Sequence, residues 1–476
     1  MRATIFAEEK RKWLTLAAVS VGLFMIMLDN TVVNVALPSI QRDLQSDLSE
    51  LQWIVTGYAL TFAALMLVGG KVADAYGRRL IFVVGIVVFT LASLLCGLAG
   101  SSEMLIGARV LQGAGAALMN PATLSIIAAT FPPRERGTAI GIWAGTSALA
   151  LAIGPLVGGL LTEHGHWSWI FFVNVPIGAL GILASYLFID ESRDETHASL
   201  DIPGLATSAV GLFALTYALI EANTYGWTSA RIVGSFVVAA AGLISFVVIE
   251  RRRRDAMLPL ELFRSGTYTG ANLVVLLVAL AMFGVFFFVS LYMQNILGYS
   301  AVQTGAAFLP LTILIILFAP IAGKTSDRIG SRGLMTAGMI LIAVHLVMFS
   351  RLGIDATFFD LLPAFIVGGL GMGLTMTPSA AAATRSVPVD KSGVGSAVLN
   401  SARQVGGTMG IAIMGAIIAA EVGDDRTPEA FMRGFERALL VAAAIAALGA
   451  VVAYVLVRPH EEARRVERTA AEPVAK

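Results

Sequence analysis

The sequence predicts an all-α integral membrane protein of about 14 transmembrane helices, arranged as two six-helix bundles related by pseudo-two-fold symmetry plus two extra helices. Three observations lead to this architecture. Hydrophobic residues make up 57% of the 476 residues, charged residues make up only 14%, and the mean hydropathy is +0.80, whereas a soluble chain carries about 25% charged residues. Long apolar segments also follow one another along the chain, and one loop sequence occurs twice.

The apolar segments give the number of helices. A helix that crosses a bilayer needs about 20 mostly apolar residues, and fourteen segments meet this requirement. They lie near residues 13–38, 50–70, 80–99, 103–131, 137–161, 168–189, 202–221, 229–249, 268–294, 302–322, 333–350, 358–379, 393–420 and 435–457. The first segment follows basic residues, but no small-residue cleavage site precedes the polar run at Asp29, so we interpret it as an uncleaved span.

Lysine and arginine predict the orientation, because cytoplasmic loops are enriched in them. With fourteen alternating spans, 25 of these residues lie on the side of the termini and 6 lie on the other side, while Arg109 and Arg403 lie inside spans. We therefore expect a multi-pass protein of the cell inner membrane with both termini cytoplasmic. Membrane lipid is an expected partner, and we expect a monomer.

Several classes of protein do not fit the composition. The net charge of +1 provides no basic field for nucleic acid, so we expect no nucleic-acid partner. The chain lacks a phosphate-binding loop of the G-x4-G-K-[ST] type, which argues against ATP hydrolysis. His164 and His166 lie close together without further ligands, so no metal site is expected. We expect no enzyme activity and no cofactor, with protons as the coupling ion.

The repeated loop predicts the domain organisation. The segment 70–79 returns at 323–332 with five identical positions, and each copy follows an even-numbered span. We predict an N-terminal six-helix bundle at 1–200, two additional transmembrane helices with a basic cytoplasmic loop at 201–264, and a C-terminal six-helix bundle with a cytoplasmic tail at 265–476. Parallel duplicated halves are typical of transporters, with the substrate site between them near mid-membrane.

The two loop copies are candidates for a conformational device. Short loops that contain glycine turn tightly, and their aspartate and arginine side chains pair with each other or cap neighbouring helices. The alternative is that these charges only mark the cytoplasmic face. The candidate residues are Gly70, Asp74, Gly77, Arg78, Arg79 and Asp327.

Asp29 is the strongest single indication of function. An ionisable group inside a span costs roughly 2.5 to 3.5 kcal/mol on insertion scales, so it persists mainly at a cavity, a partner or a proton path. A rise of 1.5 Å per residue places Asp29 roughly 24 Å from the cytoplasmic start of its helix and Arg109 roughly 10 Å from the outer edge, at similar depth. An aspartate whose arginine partner moves away changes its proton affinity, which would make a proton latch. The alternative is a permanent structural pair or a helix cap.

Four motifs resemble those of the major facilitator superfamily and, within it, the fourteen-helix drug:proton antiporter family. The run LDNTVVNVALP from Leu28 to Pro38 matches the first-helix motif of the fourteen-helix family. The loop at 70–79 resembles the superfamily motif G-x-L-a-D-r-x-G-r-k, with Val72 and Ala75 as departures. The run RVLQGAGAA from Arg109 resembles the fourth-helix motif, and GPLVGG from Gly154 resembles the end of the fifth-helix antiporter motif, with Ala150 in place of its second glycine.

The resemblance implies roles for two sets of residues. It implies a structural and coupling role for Arg109, for which a purely structural role is the alternative. It also implies that the fifth helix forms a seam, a tightly packed helix contact that limits leakage through the protein while the bundles alternate between the two sides of the membrane. Close packing alone explains the same residues. The seam residues are Gly154, Pro155, Gly158 and Gly159.

A substrate cavity between the bundles has several candidate residues. Gln112 shares a helix face with Arg109, Asn400 and Arg403 form a polar stripe, and the helix-nine phenylalanines offer an aromatic wall that would suit apolar cations. Glu221 offers a second acidic site. The alternatives are lipid-facing or core packing for the aromatic residues and an interface role for Glu221. The full set is Asn30, Asn34, Gln112, Glu221, Phe283, Phe287, Asn400, Arg403 and Gln404.

Together these features favour a proton-coupled secondary transporter that exports amphipathic small molecules, such as drugs or antibiotics, by alternating access. A proton-coupled solute importer and a non-pumping lipid-handling protein on the same scaffold remain the alternatives. The fold resemblance does not name the substrate.

Overall fold

The computed structural model describes residues 8–193, 201–253, 258, 260–387, 392–423 and 427–458. These residues form helices and short connections, with no strand among them. The helices are α1 (Glu8–Leu44), α2 (Leu48–Tyr76), α3 (Arg78–Gly97), α4 (Ser102–Thr130), α5 (Pro133–His164), α6 (Trp169–Phe172), α7 (Asn174–Phe188), α8 (Ile202–Tyr225), α9 (Ala230–Arg252), α10 (Gly266–Leu291), α11 (Ala301–Ala307), α12 (Leu309–Ile329), α13 (Ser331–Phe349), α14 (Phe358–Arg385), α15 (Ser392–Val422) and α16 (Pro428–Leu456). A 3-10 turn at Leu260–Arg264 precedes α10, and a π-helical turn at Tyr292–Ile296 follows it.

These helices confirm the predicted membrane architecture. In the described part of the chain, 13 helical segments are long and apolar enough to cross a membrane, with α6–α7 and α11–α12 each counted as one segment. The bent helix α2 brings the number to 14 when its two parts, which meet at 51° between Met66 and Val68, are counted as one span. The bend precedes Gly69, where a side chain would run into the backbone carbonyl of Ala117 in α4.

Several helices extend beyond the predicted segments, and two of the differences bear on the motifs. The first helix continues through Pro38 to Leu44, because the polar residues beyond Pro38 extend the helix past the apolar segment. The repeated loops are also shorter than the repeat itself, since α2 runs to Tyr76 and α3 begins at Arg78. Gly77 and Gly330 alone separate the flanking helices, with φ of 124° and 83°, a backbone region that favours glycine.

The helices pack in two groups, α1–α7 and α10–α16, which meet through α1 with α10, α5 with α11 and α12, and α2 with α15. Helices α8 and α9 pack against each other where Gly211 and Gly242 bring their backbones together, and α8 also contacts α2 and α15. The domain boundaries at 200 and 265 stay a prediction.

We call the side of the molecule where α1 begins the near face and the opposite side the far face. Near-face ion pairs join residues of one group, as in Lys12 with Glu135 and Arg385 with Asp327. The strong side-chain hydrogen bonds between the groups lie toward the far face, as in Gln294 of the π-helical turn after α10 to the carbonyl of Val35 in α1 at 2.8 Å. The two groups are therefore joined at the far face.

Candidate functional site

Asp29 lies in the middle of α1 and faces Arg109 and Gln112, which are one turn apart on α4. The exposed fraction of these residues is 0%, 1% and 0% respectively. The i, i+3 spacing places the two α4 side chains on one face, and small residues such as Gly113 on α4 let α2 approach, since a side chain there would meet the backbone of Tyr58. The three polar groups are thus held between packed helices.

A closed set of hydrogen bonds joins the three side chains. Arg109 Nη1 donates to Asp29 Oδ2 at 2.5 Å and to Gln112 Oε1 at 2.6 Å. Gln112 Nε2 donates to Asp29 Oδ1 at 2.9 Å and to Ser93 Oγ at 2.8 Å. Both carboxylate oxygens of Asp29 therefore accept a hydrogen bond. Because arginine is only a donor, its contact with the Gln112 oxygen fixes the orientation of that amide.

The guanidinium of Arg109 has further partners from α2. Its Nε donates to the carbonyl of Ile54 at 3.0 Å, and the group stacks over the Tyr58 ring at 4.2 Å. Phe171 of α6 approaches from another side at 5.7 Å. Arginine thus has a carboxylate, an amide, a carbonyl and two aromatic faces, which together replace water around a charge inside the membrane.

The geometry makes the network sensitive to protonation. Both groups that face the Asp29 oxygens, Arg109 Nη1 and Gln112 Nε2, are donors. A protonated carboxyl group must itself donate a hydrogen bond from one oxygen, so a donor would then face a donor. Proton uptake by Asp29 therefore requires the surrounding side chains or helices to rearrange.

Asn30 and Asn34 bond to their own helix. Asn30 Nδ2 donates to the carbonyl of Ile26 at 2.7 Å, and Asn34 Nδ2 donates to the carbonyl of Asn30 at 3.4 Å. Both side chains are partly exposed, whereas Gln112 has no exposed surface because it lies inside the Asp29 network. Cavity lining by the two asparagines stays a prediction.

The proline at the end of the first-helix motif has a structural consequence. Pro38 lacks the N–H that would bond the carbonyl of Asn34 four residues earlier. That carbonyl instead accepts a hydrogen bond from Ser290 Oγ of α10 at 2.7 Å. The missing intrahelical donor thus leaves an acceptor free for a bond between the two groups of helices.

The small residues of α5 lie on a seam with two sides. A side chain at Gly154 would meet Thr31 of α1, and one at Gly158 would meet Val32 of α1. On the other side, Gly159 lies against the backbone of Ala301, and the carbonyl of Pro155 lies against Gly305 of α11. The seam therefore includes a backbone-to-backbone contact between the two groups, which larger side chains would prevent.

The first loop copy is tied to the end of α7. Arg78 Nε bonds Asp74 Oδ1 at 2.8 Å, and Arg79 Nη1 donates to the carbonyl of Ile189 at 3.3 Å. Glu191 accepts the backbone N–H groups of Arg79 and Leu80 at 3.1 Å each, so this carboxylate caps the start of α3, where anions are favoured. Gly70, which precedes these residues, lies against Pro121 of α4.

The second loop copy forms a different pair. Asp327 bonds Arg385 of α14 at 3.1 Å. The predicted aspartate–arginine pair within the repeat is therefore present in the first copy, whereas the aspartate of the second copy pairs with an arginine from outside the repeat.

The candidates in the second half occupy different surroundings. Phe287 is fully buried against Phe288, with ring centroids 4.7 Å apart, and Phe283 is partly buried beside Gly407. Gln404 is 2% exposed, whereas Asn400 and Arg403 are partly exposed. The buried position of Phe287 gives it no cavity surface in this conformation.

Glu221 connects two helices. It accepts a hydrogen bond from Trp53 Nε1 of α2 at 3.0 Å, with the Tyr217 ring 6.3 Å from the Trp53 ring. The interface that the sequence left open as an alternative for this residue is present. Its use as a substrate site stays a prediction.

Several residues that join the two groups of helices were not among the candidates from the sequence. Gln52 Nε2 donates to the carbonyl of Ile411 at 2.7 Å, and Glu163 accepts from the backbone of Val302 at 2.8 Å. Ser290 and Gln294 also join the two groups and were not among the candidates. Their partners are backbone groups of distant helices, which leave no pattern in the sequence, although a polar residue in an apolar span is itself a signal.

A mainly apolar cavity of about 500 Å³ lies between α1, α5 and α7 in the near-face half, lined by residues such as Trp13, Ser20 and Thr146. It does not include Asp29. The part of the chain that the structure describes contains no group of three or more histidine, cysteine, aspartate or glutamate residues that could hold a metal ion.

Several antibiotic and multidrug resistance proteins resemble this chain over most of its length. The puromycin resistance protein pur8 of Streptomyces alboniger is 39% identical over 469 residues, which cover 96% of this chain and 93% of that protein. The tetracenomycin C resistance and export protein of Streptomyces glaucescens is 37% identical over 87% of this chain and 77% of its own. The multidrug resistance protein Stp of Mycobacterium tuberculosis is 37% identical over 86% of this chain and 76% of its own.

Solved structures show the same fold. A bacterial homolog of the human lysosomal transporter Spinster, in an inward-facing and unoccupied conformation, has a TM-score of 0.67 at 17% identity and covers 94% of this chain and 97% of its own. A peptide transporter POT has a TM-score of 0.68 at 15% identity, with 95% of each chain covered. The family model of the Major Facilitator Superfamily matches residues 19–411. With its helices, its buried polar network and these relatives, the chain belongs to the major facilitator superfamily of multi-pass membrane transporters.

Proposed function

We propose that this protein is a proton-coupled exporter of amphipathic small molecules, such as antibiotics, that works by alternating access. The observation that carries the proposal is the buried network of Asp29, Arg109 and Gln112, in which the carboxylate faces only donors. The names of the relatives, which include antibiotic and multidrug resistance proteins, support export as the direction.

In the proposed cycle, Asp29 is ionised while it is sealed against Arg109. Opening of the network admits a proton, the neutral carboxyl group releases the guanidinium, and the freed helices change their packing. Because a carboxyl group that faces two donors is unfavourable, proton occupancy and helix packing are coupled in both directions. The proton gradient drives the cycle, since each charge that crosses the field contributes about 2.3 kcal/mol per 100 mV.

We further propose that the near face is cytoplasmic and that the protein resides in the cell inner membrane. The charge distribution of 25 against 6 basic residues supports this orientation. With this orientation the far-face contacts would close the external side, and we interpret the structure as an inward-facing state.

A transport assay tests the proposal. The full chain is reconstituted in vesicles with an imposed pH gradient, and fluorescent dyes and antibiotics are tested with wild type, Asp29→Asn and the matched control Asp355→Asn. Asp355 is exposed in the connection between α13 and α14. We expect gradient-driven flux in the wild type and the control and its loss in Asp29→Asn, with Asp29→Glu checking that a carboxylate restores part of the flux.

The outcomes separate the three functions. Full gradient-driven flux in Asp29→Asn would overturn the role of Asp29. Proton-dependent accumulation instead of extrusion would favour the importer, and a wild-type protein that shows no proton-linked flux with any compound would favour the non-pumping lipid-handling protein. Size-exclusion profiles of each variant show whether a loss of flux reflects unfolding.

A further inference from the structure

The arginine of α15 differs from the arginine of α4 in having no counter-ion among the residues that the structure describes. Arg109 has Asp29, with both side chains buried. Arg403 forms no ion pair with any described residue, and its Nε is buried without a hydrogen-bond partner. Arginine cannot lose its proton in a protein, so this positive charge persists inside a span where charges are costly.

The contacts that α15 makes with its neighbours show on which side of the helix Arg403 lies. The helix faces α2 of the other group through Ser401, which contacts the sulfur of Met66, and through the carbonyl of Ile411, which accepts from Gln52. It faces α10 of its own group through Gly406 and Gly410. At 100° per residue, Arg403 lies beside the α10 contacts and next to Asn400, and both side chains are partly exposed.

The neighbouring part of α10 is also polar and incompletely bonded. Asn272 is 4% exposed, its Nδ2 donates to the carbonyl of Tyr268 at 2.9 Å, and its Oδ1 has no partner. Tyr268 in turn donates to the carbonyl of Gly395 at the start of α15. The α10–α15 interface at this level therefore combines an unpaired cation with unused polar atoms.

The carboxylate of Asp29 forms its ion pair with Arg109 and none with Arg403. Glu221 is bonded to Trp53 on the far-face side of α2. In the proposed transport cycle, water would solvate the partly exposed guanidinium while the near face is open, and closure of that face would remove the water. An anionic group that entered with the cargo would then keep the charge paired.

We propose that Arg403 binds the anionic group of the transported compound, so that the protein prefers amphipathic molecules with a carboxylate over neutral analogues. The proposal rests on the proposed transport function and names its substrate class. A guanidinium binds a carboxylate through two parallel hydrogen bonds, and Asn400 on the same face offers an amide for additional polar contacts.

A matched pair of ligands tests the proposal. Dansyl-phenylalanine and its methyl ester share one aromatic body and differ in a single carboxylate. Their binding to the full chain in phosphatidylcholine nanodiscs is measured by fluorescence anisotropy, with empty nanodiscs subtracted. We expect the acid to bind wild type roughly tenfold more tightly than the ester, as one charge-assisted contact gives.

Variants assign the preference to Arg403. In Arg403→Gln the acid should bind no better than the ester, while ester binding stays within about twofold of wild type. Arg403→Lys should keep part of the preference, which reports on a folded protein with the charge retained. Arg231→Gln is the matched control, because Arg231 lies over the Tyr225 ring at 3.9 Å, away from α15, and should keep the full preference.

Three results would overturn the proposal: equal binding of acid and ester by wild type, a preference that survives in Arg403→Gln, or displacement of the acid by phosphatidylglycerol added to the nanodiscs, which would assign the site to a lipid phosphate. The binding measurement needs no pH gradient. An Arg403-dependent preference without proton-driven flux would therefore contradict the proposed function and not this inference. Proton-driven flux without the preference would contradict this inference and not the proposed function.

Discussion

At the residue scale, the protein places a charge pair inside the membrane and satisfies it completely. Asp29 accepts two hydrogen bonds, and Arg109 contacts the carboxylate, Gln112, the carbonyl of Ile54 and the ring of Tyr58. Removing one member of such a pair leaves the other charge buried and uncompensated, whereas removing both members leaves a neutral site. The stability of single and double variants should therefore be far from additive.

We predict that Asp29→Asn and Arg109→Gln each lower the free energy of unfolding by about 3 to 5 kcal/mol. The double variant should lose much less than the sum of the two, because neither charge is then left alone. Unfolding by chemical denaturation in mixed micelles measures all four proteins. Additive losses would show that the two side chains do not act as a pair.

At the element scale, α1 shows how a helix interruption becomes a contact between helices. Pro38 removes one intrahelical hydrogen bond without ending the helix, and Ser290 of α10 takes the free carbonyl of Asn34. Gln294, one turn further along α10, bonds the next carbonyl, that of Val35. The hydrogen bonds of Ser290 and Gln294 are therefore made to the backbone of α1.

We predict that Ser290→Ala lowers the free energy of unfolding by about 1 to 3 kcal/mol, because the buried carbonyl of Asn34 loses its donor. Pro38→Ala restores a donor within α1, so Ser290→Ala should cost little in that background. Thermal unfolding of the wild type, the two single variants and the double variant gives the comparison. An equal cost of Ser290→Ala in both backgrounds would contradict the explanation.

The sequence predicted those parts of the site that depend on depth and helical spacing. The pairing of Asp29 with Arg109 follows from their similar depth, and the closeness of Gln112 follows from its i+3 position. Ser290, Gln52 and Glu191 were not predicted, because they bond backbone groups of other helices, and any residue type can supply a backbone carbonyl or N–H.

The loop copies show the same limit at the level of an element. Both sequences predicted an aspartate–arginine pair within the repeat, and the first copy contains one. The second copy has an arginine beside Asp327 in sequence, Arg328, yet Asp327 bonds Arg385 of α14 instead. The choice between a local and a distant arginine depends on how α12 and α14 pack, which local sequence does not specify.

At the scale of the whole molecule, the extra helix α8 connects the two groups at a position where the proposed alternating access would separate them. Glu221 of α8 accepts from Trp53 of α2, and Asn223 of α8 donates to the carbonyl of Ala416 in α15 at 2.8 Å. Trp227 Nε1 donates to Asn223 Oδ1 at 3.0 Å and so holds the amide in this orientation. Helix α8 therefore holds α2 and α15 together at the far face, in addition to the direct hydrogen bond of Gln52 with α15.

We predict that Asn223→Ala shifts the protein toward the state with an open far face, by roughly two- to tenfold in the population ratio, as expected for one lost hydrogen bond.

Nitroxide labels at Gly100→Cys and Asp355→Cys report the far face, and labels at Tyr76→Cys and Ile329→Cys report the near face. Pulsed electron spin resonance measures both distances. Cys96, which is fully buried, can stay in place. In Asn223→Ala the far-face distance should lengthen in a larger fraction of molecules while the near-face distance shortens in the same fraction, because the proposed alternating access couples the two movements. Simultaneous lengthening of both distances would indicate separation of the two groups and would contradict alternating access, and unchanged populations would show that α8 does not hold the far face closed.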